Sequence, residues 1–302
     1  MKSLLALALL AACSHTASPK AAAESPPRAD RLAIGSLEAY ALLDGHLTAE
    51  NDAKTFGLGH TPSDVGDVLV AAGLPRDAIH LDIQCLLVKA GDQIILFDTG
   101  LGAFVDGDDA GHLPTSLALA GVEPGAITDI FISHTHTDHV GGLITAAGAL
   151  AFPAATIHLS APEWAEIQAD PDKNAKKLVT AIATKVAPFE PGAQVLPLVK
   201  AVATPGHTLG HSSYEIGDGA DKLFYLGDVA HHVVISVQRP AWGMQYDHDR
   251  VAGATMRQQT LARLAAAGTR VFAGHFPYPG VGRVAADGET LAWKPEGASG
   301  AR

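Results

Sequence analysis

The chain has 302 residues, a formal charge of −11 and 47% hydrophobic residues, with 31 Gly and 18 Pro. That composition suits one globular domain, or two small repeats fused around one core. An acidic chain without Lys/Arg clusters is a poor nucleic-acid binder, since backbone binding needs phosphate neutralisation, and no apolar run reaches the ~20 residues of a membrane span.

Residues 1–13, MKSLLALALLAAC, have the layout of a targeting segment, with Lys2 as the positive start and Leu4 to Leu10 as a short apolar stretch. The ending LAAC resembles the lipobox of bacterial lipoproteins, which are cut before the cysteine and lipidated on it. This implies a signal peptide over residues 1–12, a lipid anchor on Cys13 and a place in the bacterial cell envelope facing the periplasm. The alternative is an ordinary signal peptide with an incidental cysteine. Residues 14–30 are Ala, Ser and Pro without apolar periodicity, so residues 13–30 are expected to be a lipidated cysteine and flexible tether, with His15 idle. Residues 31–302 then form one domain. Cys85, in IQCLLV, is expected to be a buried strand cysteine without a disulfide partner.

Along the domain, short apolar runs repeatedly end in a polar loop. QIILFDTG is a strand ending at Asp98, ITDIFISH at His134, LFYLGD at Asp228 and RVFAGH at His275. APEWAEIQ, 161–168, opens a helix. TMRQQTLARLAAAG, 255–268, is a second, with Leu261 and Leu264 at helical spacing and a terminal Gly. GRVAADGETLAWKP is expected to be a hairpin turning at Asp287 and Gly288. Strands alternating with helices predict an α/β layered domain.

Polar residues gather at those strand ends. SHTHTDHVGG, 133–142, places His134, His136, Asp138 and His139 in one loop, and His207, Asp228 and His275 follow at later strand ends. Imidazole and carboxylate without thiolate suit zinc, manganese, cobalt or iron. A His-x-His pair in extended backbone aims two imidazoles the same way, while Asp138 and His139 can face a second point as the loop turns into a helix. The glycines at 141 and 142 are expected to permit a tight turn. The bland alternative is a polar, solvated loop.

HTHTDH, followed by His207 in TPGHTLGH, then Asp228, then His275, with FDTG upstream, resembles the metallo-β-lactamase fold superfamily over residues 35–285. The resemblance implies an αββα sandwich with a metal site on one edge. It implies two divalent ions, with zinc expected and manganese, cobalt or iron also suited. His134, His136 and His207 would hold one, Asp138, His139 and His275 the other, and Asp228 would bridge them. A hydroxide between the metals would attack the substrate. Asp98 would orient a ligand imidazole, with a plain turn carboxylate as the alternative.

Departures from the superfamily's branches narrow the choice. Flavodiiron oxidoreductases usually carry Glu at the place of His136. True β-lactamases lack a bridging Asp at Asp228. Glyoxalase II enzymes add a helical substrate domain after the last histidine, where 27 residues follow here. RNase Z-like nucleases sit poorly with the acidic charge. The remaining resemblance is to lactonases and the methyl parathion hydrolase-like branch. Acyl-homoserine lactonases have a Tyr three residues after the bridging Asp; here that place is His231, expected to hydrogen-bond the substrate or protonate the leaving oxygen, with a pocket-wall histidine as the alternative. Asp138, Asp228 and His231 are therefore the catalytic candidates. Phe104, Trp164, Trp242, Tyr246, Phe276 and Tyr278 are candidates for an aromatic wall around an uncharged lactone, aryl ester or phosphotriester. His211 is assigned to loop structure, and His46, His60, His80, His112, His158, His232 and His248 to surface or core. The expected function is a lactone- or aryl-ester-cleaving hydrolase. The alternatives are an organophosphate triester hydrolase and a non-catalytic metal-binding lipoprotein.

Overall fold

The computed structural model describes residues 26–102, 110–219 and 221–296. The lipidation candidate Cys13 and the pocket candidate Phe104 lie outside the described residues. In chain order the first half contains β1 (Arg28–Ile34), β2 (Leu37–Glu50), β3 (Phe56–Leu58), α1 (Pro62–Ala71), β4 (Ala78–Ala90), β5 (Gln93–Phe97), α2 (Leu113–Leu119), β6 (Asp129–Phe131), α3 (Thr137–Val140), β7 (Thr156–Ser160), α4 (Ala161–Ala169), α5 (Lys173–Ile182) and β8 (Val186–Phe189). The second half contains β9 (Gln194–Leu196), β10 (Val199–Ala203), β11 (Ser212–Ile216), β12 (Leu223–Tyr225), α6 (Ile235–Gln238), β13 (Gly243–Met244), α7 (Arg250–Ala267), β14 (Arg270–Phe272), β15 (Val281–Asp287) and β16 (Thr290–Pro295). Among the described residues no helix is long and apolar enough to cross a membrane.

The halves become two sheets. One runs β1-β2-β4-β5-β6-β7-β8 and the other β16-β15-β14-β12-β11-β10-β9, so the chain passes from one to the other only once, across residues 190–193. Period-two alternation then sorts each strand's side chains between two cores. In β5, Ile95 and Phe97 face the second sheet, where they meet Tyr214, Tyr225 and Phe272. Leu96 faces the opposite way, with Leu113, Leu117, Ile167, Leu178 and Ile182 of α2, α4 and α5. On the far side of the second sheet, Phe224 and Val271 pack against Leu261 and Leu264 of α7. This is the expected αββα sandwich. Cys85 is a free, buried thiol in β4, as expected.

Several boundaries differ from expectation. β1 begins at Arg28, which pairs with Leu43, so residues 28–30 belong to the sheet instead of the tether. α7 starts at Arg250, earlier than its apolar spacing suggests, because Asp249 caps it by accepting from the amides of Val251 and Ala252. It ends at Gly268 in the left-handed conformation, φ 59°. In the last hairpin Asp287 pairs with Thr290, so the two loop residues are Gly288 and Glu289, one residue later than expected. Gly288 takes φ 60° there.

The edge that gathers the polar strand ends follows from strand direction. β5 and β6 run parallel, as do β12 and β14, so the residues that follow each pair emerge at the same end of their sheet. Asp98, His134, Asp228 and His275 therefore meet where the two layers touch.

Candidate metal centre

The seven expected ligands form two groups: His134, His136, His207 and Asp228 in one, and Asp138, His139 and His275 in the other, with donor atoms of each group within 4.8 Å of one another. Asp228 stands between them. Its Oδ2 lies 3.7 Å from His134 Nε2 and 3.4 Å from His207 Nε2, while Oδ1 lies 3.3 Å from His139 Nε2 and 3.2 Å from His275 Nε2. One carboxylate thus gives one oxygen to each group.

The outer nitrogens fix the rings. His139 Nδ1 hydrogen-bonds Asp98 Oδ2 at 2.7 Å, and Asp98 also accepts from the Ser133 amide and hydroxyl and from Tyr225 Oη. Asp98 thus fixes the His139 ring, the contact expected of it. It holds a positive φ of 56°, a conformation that aspartate tolerates better than most residues. His275 Nδ1 donates to the Asp82 carbonyl at 2.9 Å. His207 Nδ1 meets Asp247 Oδ1 at 3.1 Å, and Asp247 is held in turn by Arg257, which is 2% exposed. With Nδ1 protonated, the Nε2 of His207 presents a lone pair inward, 3.2 Å from His134 Nε2 and 2.9 Å from His136 Nδ1.

These contacts favour a cation. Burial holds His134 and His207 neutral, with pKa values well below the ordinary imidazole range. Neutral rings that aim lone pairs at one point repel unless a positive ion lies between them. Asp228 Oδ1 is buried without a hydrogen bond. In the second group burial opposes charge on His275, but the Asp228 carboxylate outweighs it and pushes the pKa up to about 9. A pocket that anionic suits divalent metal ions, and the all-nitrogen-and-oxygen donor set fits zinc, manganese, cobalt or iron.

The glycine pair has a different role from the one expected. Gly141 sits at φ −60°, an ordinary helical value. A Cβ on Gly141 would lie 2.1 Å from the Leu101 carbonyl oxygen, and one on Gly142 2.1 Å from the Thr99 carbonyl oxygen. Glycine is needed because the ligand loop presses against the loop after Asp98.

His231 joins the cluster, with Nε2 3.1 Å from Asp228 Oδ2 and a ring packed edge-on against Phe56. Both its ring nitrogens are buried without a hydrogen bond. The aromatic wall fares differently. Phe276 is fully buried in the core beneath α7, edge-on to Trp293. Trp164 packs on the core of the first layer, and Tyr246 is a surface residue, 50% exposed. Trp242 stacks on His60 in the cluster that contains Phe56, one contact removed from His231. Tyr278 donates to the Ala41 carbonyl and accepts from the Asp30 amide, tying β1 and β2 to the last ligand loop. Among the described aromatic candidates and their neighbours, Phe56 is the one packed against His231.

Four polar residues that support the centre were not anticipated in these roles. His211 Nε2 accepts the Asp228 amide, so its Nδ1 must carry the proton shared with Thr204 Oγ1. Asp247 and Arg257 hold His207. Glu163 accepts from both ligand loops. The sequence signals were faint: a second His in TPGHTLGH, and lone charges inside helical segments.

The family profile for the Metallo-beta-lactamase superfamily matches residues 80–275. Among solved structures, AidC, a dizinc quorum-quenching lactonase in complex with the product N-hexanoyl-L-homoserine, superposes with a TM-score of 0.84 at 30% identity, covering 89% of this chain and 98% of that one. A hydroxyacylglutathione hydrolase of Rhodopseudomonas palustris is 30% identical over 156 residues, 48% of this chain and 52% of the relative. An N-acyl homoserine lactonase of a Bacillus species is 28% identical over 157 residues, 46% of this chain and 60% of the relative. The chain spans about half the length of the curated relatives it matches. With its sandwich, seven converging His and Asp side chains able to hold metal, and a profile match across most of its length, the chain belongs to the metallo-beta-lactamase superfamily of metal-dependent hydrolases.

Proposed function

We propose that the chain is a dinuclear hydrolase that opens lactones and cleaves aryl esters. The observation that carries it is Asp228, one oxygen turned to each ligand group. His134, His136, His207 and Asp228 would hold one ion, and Asp138, His139, His275 and Asp228 the other; zinc has the precedent of the dizinc neighbour. Such ions supply Lewis acidity that activates water and stabilises charge developing on an ester carbonyl. Asp138, with 21% of its side chain exposed, is the carboxylate open to solvent and can take the proton of an attacking water. His231 borders the Asp228 carboxylate and would give a proton to the leaving oxygen. The lactone preference is supported by the similarity to AidC.

The test combines metal analysis with kcat/KM on an aliphatic lactone, a p-nitrophenyl ester and a dialkyl aryl phosphate. Two equivalents of metal and fastest turnover of the lactone are expected. His231→Ala should lose about 10²–10⁴-fold on the lactone and less on the activated ester, whose leaving group needs little protonation. Equal losses would remove the proton-donor role. A preference for the phosphate would replace the reading with triester hydrolysis, and metal binding without any turnover would leave a metal-binding protein.

A further inference from the structure

Glu163 is fully buried, and the ligand cluster makes no use of it. It lies in the first turn of α4, where its amide donates to Ser160 Oγ. Its carboxylate reaches in the other direction. Oε1 accepts from the amide and the hydroxyl of Thr135, both at 2.8 Å, and Thr135 is the residue between His134 and His136. Oε2 accepts from Thr208 Oγ1 at 2.7 Å and from the Gly210 amide at 3.1 Å, just past His207. Ser160 Oγ reinforces the junction by donating to the Gly210 carbonyl at 2.6 Å. Gly210 has no room for a side chain, because a Cβ would fall 2.3 Å from the Glu163 amide nitrogen. The two loops come from different sheets; a backbone hydrogen bond from the Ser212 amide to the Ser133 carbonyl at 2.9 Å joins their bases, and the Glu163 carboxylate joins them beside the histidines themselves.

Among the described residues every hydrogen-bond partner of Glu163 is neutral. A buried carboxylate held only by neutral donors costs free energy unless positive charge lies near. The neighbouring three-histidine group is where such charge would sit.

We propose that Glu163 is a positioning residue for the three-histidine group, a clasp that sets the gap between the His134–His136 loop and the His207 loop. The proposal rests on the dinuclear reading above. Glu163→Gln keeps the shape but turns an NH2 toward donors that require an acceptor.

Zinc titration against a competing chelator, with the cobalt(II) visible spectrum as a second readout, tests it on the full-length protein. Wild type should bind two equivalents. Glu163→Gln should weaken one equivalent by about 10–100-fold, as loss of a group that supports a ligand commonly does, and leave the other unchanged. The cobalt bands of one site alone should shift. Leu178→Ala, a buried core change in α5, should lower Tm while leaving both equivalents intact. If Glu163→Gln does not fold, Thr208→Val removes one donor only and should weaken the same equivalent to a smaller degree. Wild-type affinity at both sites in the soluble variants would overturn the clasp. Fewer than two equivalents in wild type would instead sink the dinuclear reading, and the clasp with it.

Discussion

His232 stands next to His231 but serves a helix. Its Nδ1 accepts the amides of Val234 and Ile235 at the start of α6, so it must be unprotonated there. Burial, with His80 adding to it, lowers its pKa to about 4. The unfolded chain binds that proton near pH 6.5 and the folded chain does not, so stability is fully present above pH 6.5 and falls as pH drops toward 4. The expected loss from this residue between pH 7 and pH 5 is about 2 kcal/mol. His232→Asn, which keeps a capping acceptor without a titrating ring, should flatten that part of the profile in urea melts at the two pH values. An unchanged slope would refute the assignment. The contrast with Asp98 shows what was legible at this scale. Asp98 follows a strand directly, so its place beside the ligands could be read from FDTG. Glu163 and Asp247 lie in a helix and a loop instead of at the end of a strand, and only the packing of α4 and the Arg257 contact from α7 bring them in. Phe276 failed as a wall residue because the turn after β14 sends His275 toward Asp228 and the next side chain into the core against Trp293.

Among the elements, β6, β12 and β14 were plain in the sequence, since each is a short apolar run buried over most of its length, whereas β10 before His207 exposes Lys200 and Ala203. β2 was not. Its register slips between Leu43 and Gly45, and the residue at the slip, Asp44, is buried and polar. Asp44 accepts the amides of Leu101 and Leu113, joining β2 to both flanks of the loop that follows FDTG. A bulge of that kind breaks the alternation that marks a strand. The contact between the ligand loop and the Asp98 loop yields a prediction at the same scale. Gly142→Ala puts a Cβ against backbone, which cannot swing aside, so it should destabilise by about 1–3 kcal/mol and also displace His139, whose carbonyl accepts from the Thr99 amide and hydroxyl. A thermal melt paired with metal analysis checks both parts; an unperturbed melt would mean that the loops part more easily than their spacing suggests.

At the scale of the molecule, each metal group draws on both layers: His134 and His136 with His207 and Asp228, and Asp138 and His139 with His275. Bound ions should therefore fasten the sheets together. An ion present at a thousand times its Kd adds about 4 kcal/mol, and a domain of this size gains about 2–4 °C for each kcal/mol. Chelation should lower Tm by roughly 10 °C or more, and equal melts with and without chelator would speak against a structural contribution. The α/β layered class followed from the alternation of runs and the αββα sandwich from the motif resemblance, whereas the clean division of the sheets at residues 190–193 followed from neither, because no internal repeat marks it. The proposed lipid on Cys13 belongs to this scale too: Cys13→Ser should move the protein from the membrane to the soluble fraction, and unchanged fractionation would remove the anchor. The single passage between layers also orders events during synthesis. The four candidate ligands of the first layer leave the ribosome well before His207, and His275 comes last, so under the proposed metal centre a nascent chain would offer only a partial grip on metal. A chain stopped short of residue 275 would lack a donor from the second group, so metal retention would record whether translation ran past β14 and its histidine.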